Sequence, residues 1–277
     1  MSQIVMAKVA VSALLAIVPA AAWGYIFYKK QIGYKCMSLQ TFFAGAFFVA
    51  PLLLYKYLWQ FFPWLNAFIY THPFKDDFVG LANLTLIPLD VLLTFLIVGV
   101  IEEVTKFLAV KMTAHGKMHS IDDAIEFCIT AALGFAFVEN IIYFYNIISV
   151  RGPDNILYPF VFRSLFSTFA HVMFSGIFGY YYGLAHFAKE IMDDKKLNTR
   201  WPIFRTMAKI FHLKKDVSFR EEKMTQGLFI AISLHALFNI FLEMNWTFML
   251  VPYLTLGFIF LNHLLEKKED NKIYKTA

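Results

Sequence analysis

Seven apolar blocks dominate the sequence, each long enough to cross a bilayer as a helix. They run about 4–28, 39–60, 83–110, 123–150, 158–187, 224–245 and 247–265. A helix rises 1.5 Å per residue, so roughly twenty apolar residues traverse the hydrocarbon layer. With 59% hydrophobic and 16% charged residues, the chain is too apolar for a soluble globular enzyme, a disordered chain or a disulfide-rich secreted module. A membrane β-barrel would show ten-residue alternation rather than long blocks. The expected fold is therefore all-α: a polytopic membrane helical bundle of about seven transmembrane helices in the cell membrane. Cys36 and Cys128 form no CxxC motif, so neither a disulfide framework nor a cysteine zinc site is indicated.

Charge sets the expected orientation. Of the 25 Lys and Arg residues, nineteen lie in alternate loops and the C-terminal tail: Lys29 to Lys35, Lys111 to Lys117, the loop 188–223, and Lys267 to Lys275. The opposite loops hold only Lys75 and Arg151. Positive loops stay cytoplasmic, which places the N-terminus outside and the C-terminus inside. In this setting the net charge of +5 reflects topology and indicates no nucleic-acid partner. The first block also resembles a signal peptide, with Lys8 ahead of it and Ala20-Ala21-Ala22 as a cleavage site. Cleavage there would leave Lys29, Lys30 and Lys35 outside, so a retained helix is the better reading.

Two connecting segments have character of their own. The aromatic stretch 61–82, with Pro63 and Pro73, reads as a re-entrant or surface-lying segment. Within 188–223, residues Ile203, Phe204, Met207, Ile210 and Phe211 fall on one helical face, with Arg205, Lys209 and His212 on another. That pattern suits either an interfacial helix or a solvated loop. Gly179-xxx-Gly183 is a spacing that lets a neighbouring helix approach closely.

Ionisable side chains inside hydrocarbon are costly unless paired or wetted, so each asks for a reason. Glu102 and Glu103 lie in IVGVIEEVTKFLAV, nine and eight residues before Lys111 and so about 12–13 Å from that end. Neighbouring residues on a helix diverge by about 100°, so the two carboxylates cannot do the same job. Lys106 shares a face with either one. Glu139, with Asn140 beside it, lies inside the fourth block. His171 is midway along the fifth, and His235, with Asn239 a turn later, midway along the sixth. Asp90, Arg163 and Glu243 read as interfacial, and Arg163 as a snorkelling side chain. Asp122, Asp123 and Glu126 suit a helix N-terminus.

Glutamates, histidines and an asparagine on four consecutive helices make a hydrolytic kit. A carboxylate can take a proton from water, imidazoles can position that water or a metal, and an amide can steady an oxyanion. Proton-coupled transporters use the same residue types. A non-catalytic scaffold or regulator is the third reading. No HExxH is present, nor a GxGD or a GxSG with a partner His.

The ordered motifs Glu102-Glu103-x-x-Lys106, Phe135-x-x-x-Glu139-Asn140, His171 and His235-x-x-x-Asn239 resemble those of PrsW-type intramembrane proteases. More distantly they resemble CAAX prenyl endopeptidases and bacteriocin-processing proteins. The resemblance covers about 85–245 of an expected membrane domain, 1–266, followed by a cytoplasmic tail, 267–277. It implies hydrolysis of a peptide bond in a membrane-anchored protein, of the anti-sigma-factor type or a processed peptide, at the cytoplasmic half of the membrane domain or within it. The implied catalytic set is Glu102, Glu103, Glu139, His171, His235 and Asn239, with Lys106 as a structural ion pair. Either glutamate is the base. The histidines and Asn239 hold water, oxyanion or metal. If a divalent metal such as zinc is used, His171, His235 and Glu139 are the implied ligands; glutamic-type chemistry without metal fits as well.

Overall fold

The computed structural model describes residues 3–28, 35–81, 85–195, 201–212 and 214–267. Its long helices are α1 (Gln3–Tyr28), α2 (Lys35–Phe47), α3 (Val49–Leu58), α4 (Leu89–Ala114), α5 (Ile121–Val150), α6 (Leu157–Phe162), α7 (Thr168–His186), α8 (Ala188–Lys195), α9 (Pro202–Ile210), α10 (Lys215–Glu243) and α11 (Leu250–Lys267). Among the described residues, six stretches are long and apolar enough to cross a membrane: 3–27, 36–58, 121–150, 153–186, 215–243 and 247–266. The 26-residue α4 carries Asp90, Glu102, Glu103, Lys106 and Lys111. It falls outside that set because Glu102, Glu103 and Lys106 lie mid-helix, so no long uncharged stretch remains. The chain is a multi-pass helical membrane protein.

The bundle is organised around a ring of four helices. α4 packs on α5 and α10, and α7 closes the ring against the same two. α1 and α2 cover the outer side of α5, and α11 leans on α7. Small residues set the closest approaches. A Cβ on Gly134 of α5 would fall 1.9 Å from the Phe42 carbonyl oxygen of α2, and one on Gly45 would fall 2.1 Å from that of Ala131. Gly179 and Gly183 of α7 serve the same purpose, facing Ile125 and Ile121 of α5. Without a hydrophobic drive between helices in lipid, such close packing is a main source of association.

Several boundaries differ from the sequence reading. The third block was expected to begin at 83, yet β2 (Thr85–Pro88) precedes α4 and pairs antiparallel with β1 (Phe78–Leu81). Proline lacks the amide hydrogen needed inside a helix, so Pro88 becomes the boundary. The segment before the hairpin folds into three single-turn helices, pinned where the Tyr55 hydroxyl donates to the Leu65 carbonyl, 2.7 Å. The sixth helix starts at Lys215 rather than 224, because Ser218, Phe219 and Glu222 are buried and prolong it beyond the apolar block. Within the connecting loop, α9 leaves Ile203, Ile210 and Phe211 exposed, and Ser218 Oγ donates to the Phe204 carbonyl, 3.2 Å.

Gly134→Leu is expected to force α2 away from α5 and to destabilise the fold by at least the ~1–3 kcal/mol typical of overpacking, since backbone cannot rotate aside. Gly24→Ala, whose Cβ would meet only Leu133 Cδ1 at 4.0 Å, is expected to be near neutral. Thermal unfolding in a mild detergent compares the two; equal midpoints would contradict the close-approach account.

Candidate active site

The helix ring brings Glu102, Glu103 and Lys106 of α4, Glu139 and Asn140 of α5, His171 of α7 and His235 of α10 into one polar cluster. At its centre is Glu103, 2% exposed. Its Oε1 accepts from Lys106 Nζ, 2.6 Å, and lies 2.8 Å from His235 Nδ1. A carboxylate only accepts, so Nδ1 carries the hydrogen and His235 Nε2 is left with its lone pair. Lys106 therefore pairs with Glu103, one turn away, and not with Glu102. The Lys106 amine also lies 2.9 Å from His171 Nδ1 and sits over the Phe135 ring, 5.0 Å from its centroid. An ammonium has only donors, so His171 Nδ1 accepts and its Nε2 carries the proton. That gives Phe135 of the second motif a role as the apolar floor under the cation.

Glu102 points elsewhere, as the 100° divergence requires. Its Oε2 lies 3.6 Å from His235 Nε2, is shielded from solvent, and has no hydrogen-bond donor among the described residues. Glu139 forms the other flank. Its Oε2 is 2.8 Å from His171 Nε2 and 3.2 Å from an Arg163 terminal nitrogen. Neither contact is aligned as a hydrogen bond, so this oxygen too is held by charge and proximity. Asn239, a turn past His235 on α10, is partly buried and makes no hydrogen bond among the described residues. Glu139 and His235 fall in the C-terminal halves of α5 and α10, away from the basic loops that begin those helices. The resemblance implied the cytoplasmic half or the membrane interior.

Arg163 was expected to snorkel at the interface, and the structure places it in the network instead. Its side chain is 12% exposed, its Nε donates to Asn140 Oδ1, 2.6 Å, and its guanidinium lies over the Tyr143 ring, 4.6 Å from the centroid. Asn140 in turn donates to Thr168 Oγ1, 3.2 Å, which donates to the Arg163 carbonyl, 2.9 Å. Residues Arg163–Ser167 form a single π-helical turn between α6 and α7, an irregularity common at functional sites. Thr168 N donates to the Arg163 carbonyl, five residues back. The Ser164 carbonyl accepts from the indole of Trp23 in α1, 2.8 Å, whose ring stacks on Phe169 at 4.8 Å. The cost of burying an arginine was the available signal for Arg163. Trp23 carried none.

An apolar helical bundle with an oriented imidazole beside an unsatisfied carboxylate defines a membrane-embedded centre able to activate water. A family model described as PrsW family intramembrane metalloprotease matches residues 36–264. The chain belongs to the PrsW family of intramembrane proteases. It is 23% identical to the Protease PrsW of Oceanobacillus iheyensis over 263 residues, covering 93% of this chain and 95% of that one. It is 28% identical to the Protease PrsW of Shouchella clausii over 189 residues, covering 66% and 73%. No solved structure matches.

The family description raises a metal, and the residues fit one. Glu102, His171 and His235 each offer a ligand atom, all within 4.8 Å of one another. In a tetrahedral zinc site, ligand atoms stand about 3.3 Å apart, so closure by about 1.5 Å at most suffices. The lone Glu102 oxygen and the free His235 Nε2 suit coordination, and Glu103 behind His235 is the carboxylate that commonly orients a ligating imidazole. His171 can ligate only after Nδ1 releases Lys106 or Nε2 gives up its proton, since a ligating nitrogen needs its lone pair. Glu139 is not in that cluster; it stands against Arg163.

Removing one partner of a buried ion pair costs about 3–5 kcal/mol, because the other charge stays unpaired. Lys106→Met is expected to lower stability by that amount, and the double variant Lys106→Met/Glu103→Gln to recover most of it. Unfolding in mixed micelles measures both. A double variant no better than the single would show that the pair is not what the fold depends on.

Proposed function

We propose that the protein hydrolyses a peptide bond in a membrane-anchored protein with Glu102 as general base. The observation that carries this reading is the 3.6 Å gap between Glu102 Oε2 and His235 Nε2, two acceptors with no donor of their own. A water bridging the two from one side, about 2.8 Å from each, would donate one hydrogen to each and keep its lone pairs for attack. The water oxygen bonds to the scissile carbonyl carbon as its proton passes to Glu102. The C–N bond then breaks as that proton moves to the leaving amine. Glu103 does not touch the reactants; it holds the His235 tautomer and is itself anchored by Lys106. We assign the His171 Nε2 proton, Arg163 and the Asn239 amide, a turn past His235 on the same helix, as the donors that would steady the oxyanion. A metal at Glu102, His171 and His235 would supply a more acidic bound water and a polarised carbonyl.

The resemblance favours a substrate of the anti-sigma-factor type. We read the basic-loop end as cytoplasmic, supported by the charge distribution. Cys36, exposed at the start of α2 near that end, and buried Cys128 offer a test. A membrane-impermeant maleimide is expected to label intact cells poorly and permeabilised cells well. Labelling of intact cells would reverse the orientation.

Glu102→Gln is expected to cut proteolysis by about 10²–10⁴-fold with normal folding, since its Oε2 holds no partner. Glu103→Gln is expected to lose both activity and stability. The readout is release of soluble fragments from membrane-anchored proteins in cells expressing each form. Full activity in Glu102→Gln would transfer the base to another carboxylate. Elemental analysis of purified protein, against a His171→Ala/His235→Ala double variant, tests the metal: near-stoichiometric zinc or another transition metal lost in the variant places it at these histidines.

A further inference from the structure

A slot of about 880 Å³ lies between α1, α5, α7 and α11, with the start of α2 along one edge, and none of the carboxylates or histidines of the site lines it. α1 and α11 both lean on α7 without packing extensively on each other, so the slot faces the bilayer between them. Along α11 it extends from Val251 to Leu265, a helix rise of about 21 Å. That exceeds the ~15 Å half-thickness of a hydrocarbon layer and falls short of the whole ~30 Å.

Its polarity is graded. Ser38, Asp122, Glu126 and Asn262 gather at the end where α2 and α5 begin and α11 finishes, the end of the basic loops. The far end and the walls are mainly aliphatic and aromatic; the hydroxyls of Thr130 and Thr255 there donate to the Glu126 and Val251 carbonyls of their own helices. The wall on α1 is built from Ala20, Ala21 and Gly24, which share a face. Gly24 does not serve close packing as Gly45 and Gly134 do. A Cβ there would find only one atom, at 4.0 Å, and the space in front of it stays open.

An apolar cavity does not hold ordered water. A membrane-spanning helix would have to continue through the full layer, whereas this slot ends within it and is polar at one end only. We propose that the slot binds the acyl chains of a glycerophospholipid drawn from the leaflet on the basic-loop side. The head group lies at the Asp122 and Asn262 end and the chains run toward Trp23 and Phe169. The occupant thereby touches the Trp23 ring whose indole holds the Ser164 carbonyl in the π-turn. The inference stands on the slot alone and is independent of the hydrolytic reading.

The test uses the full chain in vesicles doped with phosphatidylethanolamine, whose ammonium suits Asp122 and Glu126, bearing a diazirine near its acyl terminus. After photolysis, adducts are expected to concentrate on Ile129, Leu133 and Phe169, and to fall about tenfold in Gly24→Leu, which fills the slot. Ala20→Phe fills it from a neighbouring position and is expected to act alike, so one misfolded variant does not decide the matter. Adducts spread evenly over the lipid-facing residues, or unchanged in a folded filled variant, would overturn the proposal. So would a second copy of the chain, or a peptide helix, crosslinked through the same residues.

Discussion

The Glu103–Lys106 ion pair is the interaction on which the centre of the molecule depends. Both side chains are almost wholly buried in an apolar bundle, where either charge alone would be prohibitive. The pair is tolerable because each member has a second partner. Glu103 also faces His235, and Lys106 also faces His171 and the Phe135 ring. Three helices besides α4 are thus tied to one turn of α4. The same contacts fix the tautomers of both imidazoles, so structural cohesion and chemical orientation arise from one set of bonds.

Such a network needs backbones close enough for short side chains to meet. Glycine provides that on the outer packing layers, at Gly45 and Gly134 between α2 and α5, and at Gly179 and Gly183 between α7 and α5. The polar side of the ring relies on a different device. The π-turn Arg163–Ser167 adds a residue to the helix leading into α7 and so shifts Arg163 relative to His171. Asn140, Thr168 and Trp23 then absorb the backbone and side-chain groups around it. Arginine reaches Glu139 from a turn that is supported on two sides.

Much of this was legible in the sequence because the bilayer narrows the choices. Apolar block length gave the helical class and rough limits, and the cost of burying charge singled out Glu102, Glu103, Lys106, Glu139, His171 and His235, all of which meet in one cluster. The strand pair 78–81 and 85–88 was not legible, because its apolar residues merge with the block that follows. Nor was the division between the two carboxylates: periodicity says that Glu102 and Glu103 diverge, but not which of them faces Lys106. Arg163 was misread because depth counted along a helix says little about what an adjacent helix offers.

The divergence of Glu102 and Glu103 also explains why two adjacent glutamates are useful in this setting. A single buried carboxylate that is fully paired is stable but has no oxygen left for a substrate, and one left unpaired is costly to bury. Dividing the tasks over neighbouring residues separates these demands. Glu103 takes the deep position and its partners, holding His235 with its free nitrogen turned the other way. Glu102, 17% exposed against 2% for Glu103, keeps an oxygen without a donor beside that nitrogen. The helical turn of about 100° between them lets one residue be fully paired while the next keeps an oxygen without a donor.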